Sequence, residues 1–443
     1  MAKRQKGSLT AVSLFASSGI GDLALRAAGG EVLVANEFRS DRAELFQQNY
    51  PETKMFCGDI RELGKQITSA TLEKLQGREL DILFATPPCQ GMSKNGRGKL
   101  LQGVRDGFRD VIDPRNQLAT FVPPIVSKLK PKLVVFENVP EMLGTLVEDK
   151  NGELVELVGY LAKQMKDYEV KWKVVEFANY GVPQRRQRLI TVFVRKDIAK
   201  SLDNLYERIY PVESHASKPT LFQQPWITVN DVIGDLEPID AKDSNSAKGT
   251  LPYHYVPVLD EKKYWWVSNT SLGSSAFDNQ CVNPNCGHED NETHGSKHNK
   301  AGINRASHTT PIYCEECGSL LPRPTVEENG ELRLMKGFTS AYKRMRGDLP
   351  ASAITTNLSY VMSDQKIHPT QNRALSLFEA MRLHTVTDYQ WKWETAGGKP
   401  ASDKLIRDSL GESIPPRGLE VIFRHMFDNV LGFKLENRTQ KTA

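Results

Sequence analysis

The chain has 443 residues, of which 39% are hydrophobic and 25% charged, with a net charge of +4 and six cysteines. That length exceeds one ordinary core and fits two or three self-burying domains, and no apolar run approaches the roughly 20 residues of a membrane span. Six cysteines are too sparse for a secreted disulfide framework, which points to a reducing cytoplasm and leaves the thiols free for chemistry or metal.

The N-terminal MAKRQKGSLTAVSLFASSG has the basic start and short apolar run of a signal peptide, but the run continues directly into a Gly-containing turn and a helix. From residue 8 to about 195, short β-branched or apolar runs alternate with amphipathic segments. LTAVSLFA, EVLVANE, DILFATP, KLVVFENV, VKWKVVEF and RLITVFV read as buried strands, with helices at 40–50 and 118–129. This alternation predicts an α/β fold with a doubly wound, mostly parallel sheet. From 200 to 350 the chain is rich in Pro, Asn, Ser and Gly without sustained period, as in an irregular second domain. A helical pattern returns in RALSLFEAMRLH, and Arg417 to Leu431 reads as an amphipathic helix opened by Pro415-Pro416. The expected organisation is 1–199 as a first domain, 200–390 as a second, and 391–443 as a segment returning to the first.

Polar groups fall at successive strand ends. After the first strand, LFASSGIGD is a turn of small residues whose backbone amides can approach a ligand at a helix N-terminus. Glu37 ends the second strand, where a carboxylate can hold the hydroxyls of a ribose, and Gly58-Asp59-Ile60 ends the third, suited to an adenine edge. Glu37 and Asp59 could equally be helix caps. No GxxxxGK[ST] loop is present, which argues against NTP hydrolysis. Cys89 follows DILFATPP, at the carboxyl edge of the sheet, and Glu137 follows VVF on the next strand. A lone buried cysteine is usually inert core, but here an acid stands on the adjoining strand. In NYGVPQRRQRLI, Arg186 and Arg188 are two apart on an extended segment and are expected to point the same way. A thiolate, an acid and two guanidinium groups suit attack on an electron-poor ring.

These motifs, FASSGIG, NEF, GDI, PPCQGMS, DPRNQL, FENVPEML, YGVPQRRQR, IHPTQNRALSLFEAMRL and LGESIPPRGLEVI, resemble in content and order those of the DNA (cytosine-5)-methyltransferases. The resemblance covers roughly 8–195 and 350–435 and implies a Rossmann-like, S-adenosylmethionine-dependent fold. It implies that Cys89 adds to carbon 6 of a flipped-out cytosine while Glu137 acts at ring nitrogen 3, with Arg186 and Arg188 in the family's QxRxR. It implies cofactor contacts from Phe15, Gly19, Glu37, Phe38, Asp59, Ile60, Pro88 and Glu412. The stretch 91–110 would be a closing loop, with Gln90, Ser93, Lys94 and Arg97 on DNA. Ser13 stands where the family usually has aspartate, and Ser17 and Ile20 where it often has glycine, which leaves open how the methionine end of the cofactor is held.

Four of the six cysteines, Cys281, Cys286, Cys314 and Cys317, form two short-spaced pairs in CVNPNC and CEECG. This is the pattern of a tetrahedral zinc site near 281–317, with free surface thiols as the alternative. His288, His294, His298 and His308 lie between the pairs and leave a mixed site conceivable. No water-activating carboxylate pattern accompanies it, so the metal would be structural. The expected protein is a monomeric, cytoplasmic methylase of double-stranded DNA, with a separate restriction endonuclease as possible partner. A tRNA cytosine-5 methyltransferase or a catalytically silent DNA-binding protein on the same fold are the alternatives.

Overall fold

The computed structural model describes residues 8–88, 113–294, 296–298, 304–306, 310–336 and 340–435. Its centre is a seven-stranded sheet built from β1 (Leu9–Leu14), β2 (Gly30–Glu37), β3 (Lys54–Cys57), β4 (Ile82–Ala85), β5 (Leu133–Asn138), β6 (Tyr168–Glu176) and β7 (Gln187–Arg195), in the order β3-β2-β1-β4-β5-β7-β6. The first five are parallel. β7 runs antiparallel to both β5 and β6, and inserts between them. The order reverses at β1, so crossovers on opposite faces leave a crevice above its carboxyl end.

Every residue of β1, β4 and β5 is buried, as strands covered on both faces require. Alternate side chains feed two cores. Ala11, Ile82, Phe84 and Val135 belong to one, and Val12, Leu14, Leu83, Ala85 and Phe136 to the other. Each such Val, Leu or Phe stabilises the fold by about 1.5–3 kcal/mol through burial. β6 differs: Trp172 and Val174 are exposed on it, the pattern of an edge strand.

The helices that matter to the site are α1 (Ile20–Ala27), α2 (Ser40–Asn49), α3 (Ile60–Leu75) and α4 (Val122–Leu129). Further along come α5 (Glu261–Ser268), α6 (Leu377–Leu383), α7 (Asp403–Glu412) and α8 (Pro416–Leu431). Pro416 opens α8 at a position where no backbone N–H is needed, and α8 packs against α1. A capping box formed by Ser376 and Glu379 starts α6, whose Leu377, Ala380, Met381 and Leu383 join the first core of the sheet. The apolar residues of 351–386 are thus divided: Ile354, Leu358 and α6 pack with the sheet, while Val361, Ile367 and Ala374 pack with Trp266, Phe277 and Tyr342 in a separate small core around α5. A two-residue strand, Ala351–Ser352, pairs in parallel with Gln184–Arg185 and ties the two parts. No helix among the described residues is long and apolar enough to cross a membrane.

Candidate active site

A cavity of about 430 Å³ opens over the carboxyl ends of β1 to β5, at the switch point of the sheet. Its floor is the β1–α1 turn. Phe15 and Ser17 hold left-handed conformations there, with φ of +59° and +49°, a strained state for residues with a Cβ. Gly19, at φ +90°, caps α1. A Cβ on Gly19 would come within 2.7 Å of the Phe46 and Tyr50 rings, so this glycine serves the packing of α1 on α2 and does not line the cavity. Of the other cofactor candidates, Phe15, Glu37, Phe38, Asp59, Ile60, Pro88 and Glu412 all line it.

Glu37 is buried at the end of β2. Its Oε2 accepts from the Ser17 amide at 2.8 Å and its Oε1 from the Arg39 amide at 2.9 Å. Burial raises its pKa, opposed by the Arg39 amide and by Arg42. Phe38 beside it is 70% exposed, an unusual state for a large ring and one that leaves a stacking face toward the cavity. Asp59 caps α3 by accepting from the Arg61 amide and also pairs with the Arg61 guanidinium, so its cap role and its place on the cavity wall coexist. Glu412, ending α7, accepts from Arg42 of α2 at 2.7 Å and closes the far wall.

At the β4–β5 side, Thr86-Pro87-Pro88 leads to residue 89. The Thr86 amide donates to the Leu14 carbonyl and its hydroxyl to the Phe15 carbonyl. The Asn138 amide group donates to the Pro87 carbonyl at 3.0 Å. These bonds fix the direction in which the chain leaves the sheet. Cys89, Gln90, Ser93, Lys94 and Arg97 lie outside the described residues. Glu137 is buried at the end of β5, with Oε1 2.9 Å from Nε of Arg188 on β7. Burial raises its pKa, and Arg188 and then Arg186 pull against that rise. Both Glu137 and Arg188 line the same cavity as Glu37 and Phe38.

Arg186 behaves differently from the expectation that it points with Arg188. The strand is interrupted between Gln184–Arg185 and β7, and Arg186 turns inward at that break. Its guanidinium, 2% exposed as a residue, donates to the carbonyls of Ile354 (2.8 Å), Gly411 (3.0 Å) and Ser413 (2.5 Å). Arg186 therefore holds the Glu412–Ile414 wall of the cavity from behind. Sequence reasoning also missed Asp22, Asn138 and the arginines Arg39, Arg42, Arg61 and Arg115, all of which line the cavity. Their signal was weak in sequence because an exposed arginine near a strand end reads first as a solvated cation.

The four cysteines meet outside the lining of this cavity. Their Sγ atoms all lie within 4.8 Å of one another, with Cys281–Cys317 at 3.7 Å and Cys286–Cys314 at 3.9 Å. Disulfides are absent from the set, and sulfurs tetrahedrally placed about an ion at about 2.3 Å stand about 3.8 Å apart. Cys314 accepts the Gly318 amide in a tight knuckle turn, with Gly318 at φ +68°. His294 stacks on Phe277 and bonds Thr310, outside the sulfur cluster. Among the described residues, the immediate apolar support is Cys281, Cys314 and Leu321, with Cys286 packed against them.

The profile of the C-5 cytosine-specific DNA methylases matches residues 9–428 of this chain. The chain belongs to that family. The methylase is 29% identical over 433 residues to the type II methyltransferase M1.HgaI of Avibacterium volantium, covering 96% of this chain and 99% of that one. It is 31% identical over 234 residues to M.AquIA of a Picosynechococcus species, covering 51% and 88%. Among solved structures it resembles a putative DNA modification methyltransferase encoded within an E. coli prophage, at TM-score 0.56 and 17% identity, over 96% of this methylase and 100% of that chain. It also resembles the S. pombe Dnmt2 methyltransferase, at TM-score 0.53 and 12% identity, over 95% and 98%. These two likenesses establish the fold. With it, the doubly wound, mostly parallel sheet expected from the sequence is the one observed.

Proposed function

We propose that this methylase modifies carbon 5 of a cytosine within a specific sequence of double-stranded DNA, as the protective partner of a separate restriction endonuclease, acting as a cytoplasmic monomer. The observation that carries the reading is the buried Glu137–Arg188 pair. It shares one cavity with Glu37 and Phe38 and stands beside the strand exit that delivers residue 89. Cavity size and donor set fit S-adenosylmethionine: 430 Å³, a carboxylate for ribose hydroxyls at Glu37, a ring face at Phe38 and an apolar contact at Ile60. When bound, that cofactor supplies an electrophilic methyl group.

The protein's own groups do the rest. The Cys89 thiolate attacks carbon 6 of the flipped base, and electron density moves to carbon 5. Glu137, its proton affinity raised by burial, hydrogen-bonds or protonates ring nitrogen 3. Arg188 orients that carboxyl and would hold the exocyclic carbonyl oxygen of the cytosine. After methyl transfer, loss of the carbon 5 proton expels the thiolate and restores the enzyme. Arg186 acts as a positioning residue through the backbone it clamps. Gln90, Ser93, Lys94 and Arg97 would meet the DNA from the segment that follows Cys89.

The cysteine quartet is read as a structural zinc site, whose thiolate geometry needs little adjustment to hold the ion. It would stiffen a part of 200–390, read here as the target-recognition domain, that has little core of its own, and stiffness favours base readout. Transfer of tritiated methyl groups to genomic DNA and to tRNA, followed by bisulfite sequencing of the acceptor, tests the substrate. Label in DNA at one short recurring sequence is expected; label in tRNA alone would overturn the reading.

A further inference from the structure

The turn between β1 and α1 contains buried polar atoms that the folded chain leaves without partners. The Oγ atoms of Ser17 and Ser18 and the Oδ1 of Asp22 are each inaccessible to solvent and without a hydrogen-bond partner. Leaving such groups unpaired is costly, more so for a charged one, and the two that line the cavity, Ser17 and Asp22, point to a ligand that pairs them. Asp22 is the most informative. It is 1% exposed, sits in the first turn of α1, and lines the cavity together with Ser17. A first-turn acid that served only the helix dipole would stand in solvent, where such an acid normally lies. Here burial pushes the carboxyl up to about 7, against the opposing pull of a hydrogen bond from Ser13. Ser13 is the next-to-last residue of β1, paired with Phe84 of β4, and the turn that floors the cavity follows directly.

Position narrows the ligand group. Glu37, Phe38 and Ile60 occupy the β2–β3 side of the cavity, and Glu137 with Arg188 the β5–β7 side. Asp22 stands between them, over β1, where neither a nucleoside nor a target base is expected. The group that must fill that place is the amino-acid arm of the cofactor, which carries one ammonium and one carboxylate. We propose that Asp22, hydrogen-bonded to Ser13 and assisted by the hydroxyl of Ser17, receives the α-ammonium of the cofactor's methionine arm. A serine near the end of β1 and a carboxylate in the first turn of α1 would then act as one unit.

The inference rests on the cavity being the S-adenosylmethionine site. The ionisable groups that face Asp22 are Tyr50, just after α2, whose phenol feels the Asp22 charge, and, around the cavity, Glu37, Arg42 and Glu412. A ligand comparison separates Asp22 from all of them. Calorimetry with the full chain would use S-adenosylhomocysteine, its analogue lacking only the amino group, and 5′-methylthioadenosine, which lacks the whole amino-acid arm. For the wild type, removing the amino group should weaken binding roughly ten- to hundredfold, as for a charge-assisted hydrogen bond. In Asp22→Asn the two ligands should bind nearly alike, with 5′-methylthioadenosine binding unchanged from wild type. If the preference for the amino group survives in Asp22→Asn, the assignment is wrong.

Should Asp22→Asn fail to bind 5′-methylthioadenosine, and so fail to fold, the wild type alone decides. Above pH 7 the carboxylate is already ionised and the preference is full. Below it the ammonium must displace a proton, and the preference falls about tenfold per pH unit. A preference that is flat between about pH 5.5 and 7.5 overturns the proposal. Failure of the wild type to bind any of the three ligands would instead overturn the reading of the cavity.

Discussion

The cavity over the sheet and the cysteine cluster are both sites built from a few side chains, but they are held by opposite means. Glu137 is fixed by a strand buried on both faces, and its neighbours Val135 and Phe136 feed two different cores. The cysteines have Leu321 and each other. Where apolar burial is plentiful, the chain can keep an ionisable group in a raised-pKa state and a turn in a strained conformation, because the core over-determines both. Where it is scarce, four sulfurs stand at metal-binding distances, and an ion would take the place of a core.

That contrast can be broken most severely at the cysteines. Cys314→Ser with Cys317→Ser should abolish zinc content, measured by atomic emission, and forfeit most of an apparent binding free energy of about 10–16 kcal/mol. Sequence-specific DNA binding should be lost while S-adenosylhomocysteine still binds, because the two sites have separate supports. Loss of cofactor binding as well would show that the supports are not separate. Glu137→Gln should still fold, since the amide oxygen keeps an acceptor for the Arg188 Nε–H, though loss of the carboxylate charge leaves Arg188 less well compensated. It should lower the methylation rate by about 10²- to 10⁴-fold, the usual range for a lost proton donor, as read by single-turnover methyl transfer.

Arg186→Leu tests the wall rather than the reaction. Three buried carbonyls lose their donor, so stability in urea should fall by about 2–4 kcal/mol, and cofactor affinity should fall with it. An unchanged stability with a lost catalytic rate would instead return Arg186 to the reacting groups. The smallest effect is expected at Gly318→Ala. No atom lies within reach of the added Cβ, so only the left-handed backbone is penalised, by about 1 kcal/mol, read as a lower midpoint for zinc removal by a chelator.

Much of the sheet was legible because β1, β4 and β5 are short, apolar and bounded by turns, and buried parallel strands have few other appearances in a sequence. Glu137 was legible because a carboxylate directly after Val-Val-Phe has no place in a core. The direction of β6 and β7 was not legible, since hydrophobic period carries no strand polarity. Arg186 was misjudged for a related reason. Two-residue spacing puts side chains on one face only if the strand is continuous, and here the pairing breaks after Arg185, so Arg186 turns to the carbonyls of a segment more than 160 positions later. Asp22 was overlooked because an acid in a first turn fits the helix dipole, and nothing in the sequence tells that its carboxyl is walled in. Long-range burial decides these cases, and it becomes visible only when the elements are packed.

The central claim is a covalent bond from Cys89 to a cytosine drawn out of its helix, and it is tested most directly by intact-protein mass spectrometry after incubation with S-adenosylmethionine and duplex DNA containing 5-fluorocytosine in place of cytosine. Fluorine at carbon 5 blocks the final proton loss, so the account predicts a stable adduct with the mass of one protein plus one DNA strand and one methyl group, absent in Cys89→Ala. An adduct that persists in Cys89→Ala, or none in an active wild type, would contradict it.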